Sequence, residues 1–397
     1  MYTIVIPTYW TSTHLRKENI KADAVYDHPT PLQSQGTLSR LLESLKYSDL
    51  PVNSTTIVVI AATTHRTLEK NAERKLKTIL DRKWNFDIKC FSASSLKKLF
   101  STRTNLANLL NLYGYSNIRN LGLATAQILR SDIVVFLDDD VIVKDHDHFE
   151  KVTRHLGKQH QGKLLGGVAG FYTDEAGSVF LPIKPEHLWQ VFWPKERRMN
   201  EAFKIIGTKR RLVETPFAFG GNMALHWKMF ERVPFDPYIT RGEDMDLLLN
   251  AKMFGFEFLL NTGLKVVHLP GEEKANWSEM RQDLYRFLYM KEKMRSQRYF
   301  RNVERVPLDA FQPYPGYFLG SGMLSRFSLA SSLSFLQALA AGESGDAKQL
   351  LHNFAHIPKA LHSARAHALD YVAFQRRWLS IMPGIRDDKD LKSALGY

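Results

Sequence analysis

The stretch Ile133-Val134-Val135-Phe136-Leu137-Asp138-Asp139-Asp140 runs five apolar residues straight into three carboxylates. β-Branched and aromatic residues without a polar interruption predict a buried strand, and the acids mark its end. Runs of the same kind occur at Thr3–Ile6, Thr56–Ala61 and Ile88–Phe91. Helical patterns lie between them, at Gly36–Leu45, Thr67–Arg82 and Ile118–Leu129, the last leading directly into Ile133. This alternation predicts an α/β fold with a mainly parallel sheet flanked by helices. In open α/β sheets ligands bind beyond the carboxyl ends of the strands, so residues that follow each apolar run are the first candidates for function.

Downstream the pattern changes. Leu164–Leu225 reads as irregular, with glycines in Gly166-Gly167-Val168-Ala169-Gly170. A helix is predicted at about Asp244–Phe254, then strand-like Phe256–Leu260 and Leu264–His268. From Pro270 onward the sequence reads as helices, broken at Pro307, Pro313, Pro315, Gly342, Pro358 and Pro383. A domain boundary is placed near 272–276, giving units of 1–272 and 273–397.

The 397 residues carry 54 Lys and Arg against 41 Asp and Glu, a net charge of +13. Such an excess suits a phosphorylated small molecule, a nucleic acid or an acidic membrane surface, and equally a merely solvated basic surface. The basic, aromatic segment Arg281–Arg305 reads first as a solvated helix face, with an anionic acceptor or a membrane surface as the competing readings. No nucleic acid is expected as partner, because the α/β part shows neither basic stripes with stacking aromatics nor a recognisable module. The single cysteine, Cys90, allows no intrachain disulfide and fits a cytoplasmic location, with peripheral membrane contact as an addition. The opening MYTIVIPTYW lacks a basic region before its apolar run, so no secretory signal is expected. Gly316–Ala341 is broken by Arg326 and serines and does not read as a membrane span.

Three adjacent carboxylates repel one another and call for a counter-charge. Mg²⁺ or Mn²⁺ is suited, since both take oxygen ligands and share their shell with substrate phosphates. An exposed acidic turn is the competing reading. An aspartyl-phosphate phosphatase fits poorly, with the acids so far along the chain and followed by Val141-Ile142-Val143. A sugar nucleotidyltransferase fits poorly as well, because Pro7-Thr8-Tyr9 stands where a glycine-rich phosphate loop would be.

Six motifs in order give residues 1–272 a resemblance to family 2-type glycosyltransferases of the GT-A fold. They are Tyr2-Thr3-Ile4-Val5-Ile6-Pro7-Thr8-Tyr9, Ile118-Arg119-Asn120-Leu121-Gly122-Leu123-Ala124, Leu137–Asp140, Gly220-Gly221-Asn222-Met223-Ala224, Gly242-Glu243-Asp244-Met245-Asp246 and Val266-Val267-His268. The resemblance implies a metal-dependent enzyme that moves a sugar from a nucleotide-sugar donor to a carbohydrate or other hydroxyl acceptor. It implies a nucleotide-binding part at about 1–145, an acceptor part at about 146–272, and Mn²⁺ or Mg²⁺ as cofactor. Asp140 becomes the direct metal ligand, with Asp138, which lies towards the ribose, and His268 as the other residues of the metal site. Pro7, Thr8, Tyr9, Arg119, Asp138, Asp139, Gly220, Gly221 and Asn222 become substrate- or nucleotide-binding residues.

Asp244, with Glu243 beside it, reads as the catalytic base at a helix N-terminus, where the dipole favours an ionised carboxylate. An ordinary helix cap is the competing reading. Arg241 is expected to pair with this couple. A base so placed implies inversion; a retaining relative with the same metal site, or a non-catalytic basic scaffold, are the alternatives. The family's acid after the second strand is missing from Ile60-Ala61-Ala62-Thr63-Thr64, which leaves uracil and guanine both open as the base.

Overall fold

A computed structural model describes residues 1–17, 22–183, 187–269 and 277–397. Among these residues one sheet has eleven strands: β1 (Tyr2–Thr11), β2 (Thr30–Pro31), β3 (Thr55–Thr63), β4 (Asp87–Phe91), β5 (Ile133–Leu137), β6 (Val141–Ile142), β7 (Gln159–His160), β8 (Lys163–Thr173), β9 (Leu212–Glu214), β10 (Asn222–His226) and β11 (Phe256–His268). The main path is β4-β3-β1-β5-β10-β8-β11-β6. The first four strands are mutually parallel. β10 lies antiparallel between β5 and β8, β8 and β11 are parallel, and β6 runs antiparallel on β11. Along this path β10 and β6 run against the rest, so the sheet is mixed but mostly of one direction.

Alternation along the strands divides the core between two faces. Ile4, Ile6, Ile57, Val59, Val135 and Leu137 pack with Leu38, Leu41, Leu42, Ala72 and Leu76 from the helices Leu38–Leu45 and Glu69–Leu80. Val5, Val58, Ile60, Val134 and Phe136 pack with Ile118 and Leu121 of the helix Tyr115–Ile128. This second cluster continues into the C-terminal helices Trp277–Ser296, Met323–Ala340, Asp370–Ile385 and Lys389–Leu395 through Phe287, Phe327, Trp378 and Leu391. Trp378 Nε1 donates to the Phe230 carbonyl at 2.9 Å, and Gln127 Nε2 to that of Met382 at 3.0 Å. The α/β class and the helical C-terminal region are therefore as the sequence predicts. The boundary expected at 272–276 lies outside the described residues.

Several local expectations change. The strand expected at Thr3–Ile6 continues to Thr11 as β1 and so includes Pro7-Thr8-Tyr9. Pro7 is tolerated there because β5 pairs with β1 only as far as Val5, leaving that edge without a ladder bond to supply. The stretch 164–225 is not irregular: it contains β8, the helix Lys195–Phe203 and β10. Gly166, Gly167 and Gly170 make room for neighbours rather than turns; a Cβ on Gly167 would sit 2.3 Å from the Phe258 ring. Phe256–His268 is a single strand, with a register shift between Leu260 and Lys265. Pro358 and Pro383 lie inside the helices Ser344–His367 and Asp370–Ile385 instead of ending them. A helix at Ala93–Thr102 goes unpredicted.

Candidate active site

The Asp138 side chain lies at the carboxyl end of β5. Alternation sets it on the same face as Phe136, towards the helix that carries Arg119. Arg119 is 3% exposed, its guanidinium 5.2 Å from the Phe136 ring centre. Its Nη2 donates to Asp138 Oδ1 at 2.9 Å, while Nε lies 3.5 Å from Glu243 Oε1. Burial alone would lower the Arg119 pKa; the Asp138 charge and its neighbours reverse this and hold the cation firmly protonated. The expectation of a diphosphate contact thus meets a different placement: the guanidinium is a buried tie between the acidic triplet and the Glu-Asp pair.

Tyr172, at the end of β8, completes the clamp on Asp138. Its hydroxyl donates to Asp138 Oδ2 at 3.0 Å and accepts from the Gly221 N–H at 2.7 Å. The Gly220-Gly221 turn precedes β10, whose Asn222 is in register with Leu137, so the turn lies against Asp138. Only glycine fits there: a Cβ on Gly221 would fall 2.2 Å from Asp138 Cγ. Asn222 is buried and donates to the carbonyls of Phe171 and Leu264 at 3.2 and 3.3 Å, which makes it a strand tie.

Pairing of β6 with the end of β11 sets His268 opposite Val141 and so beside Asp140. His268 Nε2 is 3.3 Å from Asp140 Oδ2, and its ring stacks on Tyr172 at 5.2 Å between centroids. The hydrogen bond to Asp140 raises the His268 pKa. Asp139 points to neither partner; desolvation, then the Asp140 and Asp138 charges, push its carboxyl well above the usual range. Among the described residues no three His, Cys, Asp or Glu form a metal cage. Asp140 Oδ1 is buried without a hydrogen-bond partner, and with His268 it offers an oxygen and a nitrogen donor. That pair fits Mg²⁺ or Mn²⁺, which take few protein ligands and fill their shell with water and phosphate.

On the other side of Arg119, Glu243 and Asp244 begin the helix Glu243–Met253. Asp244 is half-buried, and Glu243 behind it is 7% exposed. Asp244 Oδ2 accepts from the Gly220 N–H at 3.1 Å and Oδ1 from the Met245 N–H at 2.8 Å. Burial, then the Asp244 charge, raises the Glu243 pKa to about 7 against the pull of Arg119. Burial also raises Asp244. The helix-cap and base readings both remain physically served, since a carboxylate has lone pairs beyond the two that these N–H groups use.

Pro7 and Thr8 are buried, and the Thr8 hydroxyl is engaged with the Ile60 carbonyl and Trp10 Nε1, both at 2.8 Å. Their side chains support the sheet. Tyr9 packs with Tyr26 and Tyr115, and its buried hydroxyl has no hydrogen-bond partner. Arg241 does not pair with Glu243 or Asp244 as expected; it lies 3.0 Å from Asp27 and 3.6 Å from Glu279. The solvated basic face expected within Arg281–Arg305 holds only in part: Arg295, Arg298, Arg301 and Arg305 are exposed, but two cations are not. Arg286 and Lys293 are buried, paired with Asp283 at 2.8 Å and with Asp236 and Asp246 at 2.6 and 2.8 Å. The Lys293 cluster fixes the helix that begins at Glu243, and no pattern in the sequence announces it. Tyr172 was likewise missed; its one sequence signal is its place after a glycine-rich apolar run.

No protein-family model and no curated protein matches the chain. The fold is similar to solved structures at low identity. A mannosyltransferase from Pyrobaculum calidifontis, in complex with GDP-Man and Mn²⁺, is 15% identical over 96% of this chain and 86% of its own, with a TM-score of 0.47. S. aureus TarS 1–349, in complex with UDP-GlcNAc, is 13% identical over 96% of this chain and 92% of its own, with a TM-score of 0.43. GalNAc-T7, with UDP, GalNAc and Mn²⁺, is 14% identical over 84% of this chain and 55% of its own, with a TM-score of 0.40.

Proposed function

We propose that this chain is a metal-dependent glycosyltransferase of the GT-A kind, transferring a sugar from a UDP- or GDP-sugar to an acceptor hydroxyl with inversion. One observation carries the reading: Arg119 holds Asp138 on one side and Glu243 on the other, so one guanidinium brings the acidic triplet and the carboxylate pair together. In this reading Asp140 and His268 hold Mn²⁺ or Mg²⁺, which would neutralise charge developing on the departing diphosphate. Asp244, the more exposed of the pair, takes the proton of the acceptor hydroxyl. The acceptor oxygen bonds to the anomeric carbon as the bond to the diphosphate breaks, its electron pair leaving with the diphosphate. Glu243 and Arg119 position the two sides. Residues 1–145 serve the nucleotide and 146–272 the acceptor, in a protein of the cytoplasm.

The burial of Arg286 and Lys293 takes two cations of Arg281–Arg305 out of the basic surface that a non-catalytic scaffold would use. The test is a screen of UDP- and GDP-sugars with Mn²⁺ or Mg²⁺, reading the released nucleoside diphosphate. Release that requires the metal supports the reading, and silence across both nucleotide series overturns it.

A further inference from the structure

The helix Met323–Ala340 is packed with its amphipathicity reversed. Its inward side carries Ala330, Ser331, Ser334 and Ala338 beside Met323 and Phe327. Its outward side carries Leu329, Leu336 and Leu339, which are 47%, 59% and 53% exposed. Steps of seven and ten residues put these leucines on one stripe opposite the inward side. The turn Leu188–Val191 extends the stripe. His187 Nδ1 and Gln337 Nε2 meet at 3.0 Å, which brings Leu188 and Val191, 75% and 66% exposed, to the Leu336–Leu339 end. Single exposed leucines are ordinary on a protein surface, but a contiguous outward stripe on a helix whose small residues face the core is not.

Charge selects the occupant. Arg326 is the one charged residue of this helix. The helix Ser344–His367, which packs against it, exposes Lys348, Lys359 and Arg365, with Glu343 exposed just before it and Asp346 half-buried in its first turn. An apolar stripe with an uncharged, serine-bearing flank and cations nearby suits the headgroup boundary of an anionic bilayer. No helix among the described residues is long and apolar enough to cross a membrane, so the helix would lie on the surface.

We propose that Leu188, Val191, Leu329, Leu336 and Leu339 form a docking surface for an anionic phospholipid membrane. The full chain is to be floated with phosphatidylcholine vesicles, with and without phosphatidylserine. Binding should be strongest to the phosphatidylserine vesicles and fall with added salt. Leu188→Glu/Leu336→Glu/Leu339→Glu should weaken it by about tenfold or more, since the buried apolar area is lost. Lys348→Glu/Lys359→Glu should weaken phosphatidylserine binding by about fivefold or more, the scale of one basic residue near such a surface. These positions are exposed, so unchanged circular dichroism is expected for both variants. Vesicle binding that the triple variant leaves unaltered, or no binding by the wild-type chain, overturns the proposal. A concentration-dependent dimer that the triple variant dissociates, without vesicle binding, would instead make the stripe an interface between two copies and overturn it too.

Discussion

The Tyr172 hydroxyl donates to Asp138 Oδ2 at 3.0 Å, so a residue of β8 sets the orientation of an acid at the end of β5. Tyr172→Phe removes this bond and leaves the Gly221 N–H without its acceptor. A hydrogen bond to a charged group is worth about 1.5–3 kcal/mol. The KM for the nucleotide-sugar donor should therefore rise by roughly tenfold or more, with little change in the thermal midpoint. Donor titration followed calorimetrically checks it, and an unchanged affinity would detach Tyr172 from the site.

The metal assignment separates two variants. Asp140→Ala should abolish turnover at any Mn²⁺ or Mg²⁺ concentration, because the buried carboxylate oxygen is the main anionic donor. His268→Ala should leave turnover that needs about tenfold more metal or beyond, the usual scale for weakened ligation. Metal titrations of donor hydrolysis distinguish them. A His268→Ala titration that superimposes on wild type returns the histidine to a stacking partner of Tyr172.

Asp244→Asn sets an amide against the backbone N–H groups of Gly220 and Met245, of which it can satisfy one with its oxygen. Transfer should fall by about 10²–10⁴-fold, the contribution of a positioned general base, while donor binding changes little. Proton NMR of the wild-type product should show the inverted anomer. A retained anomer, or full-speed transfer by the variant, would leave Asp244 as a helix cap.

Glu243 gives a pH signature. Its folded pKa of about 7 lies above the usual carboxylate value, so the folded protein holds a proton that the unfolded chain releases as pH rises. Stability is therefore favoured by the neutral group at low pH and lost as pH rises through about 7. Glu243→Gln removes this loss, with a relief of about 3 kcal/mol at pH 8 and almost none at pH 4. Thermal unfolding at the two pH values measures it; an equal change at both would show that Glu243 does not titrate in this window.

Much of the fold was legible because apolar runs on parallel strands are local signals. Ile133–Leu137 has in the structure the bounds the sequence suggests. β8 was not legible, because Gly166, Gly167 and Gly170 have no strand preference of their own; they are there for Phe258 and other neighbours far along the chain. The acids and His268 of the candidate site stood out as charged residues at strand and helix ends. Arg119 stood out as well, but its burial depends on acids remote in sequence. Lys293 was read as solvated for the same reason: its partners Asp236 and Asp246 come from other segments, whereas Arg286 pairs with Asp283 on its own helix.

The Lys293 ammonium has one further consequence. It neutralises Asp246, one turn's reach from Glu243 on the same helix, and Tyr371 from a still later helix covers it at 3.8 Å. A chimera that exchanged the segment after residue 276 for a foreign one would bury two aspartates with no cation between them. The helix that begins at Glu243 and the helices after residue 276 are therefore electrostatically one unit, and neither is exchangeable without the other.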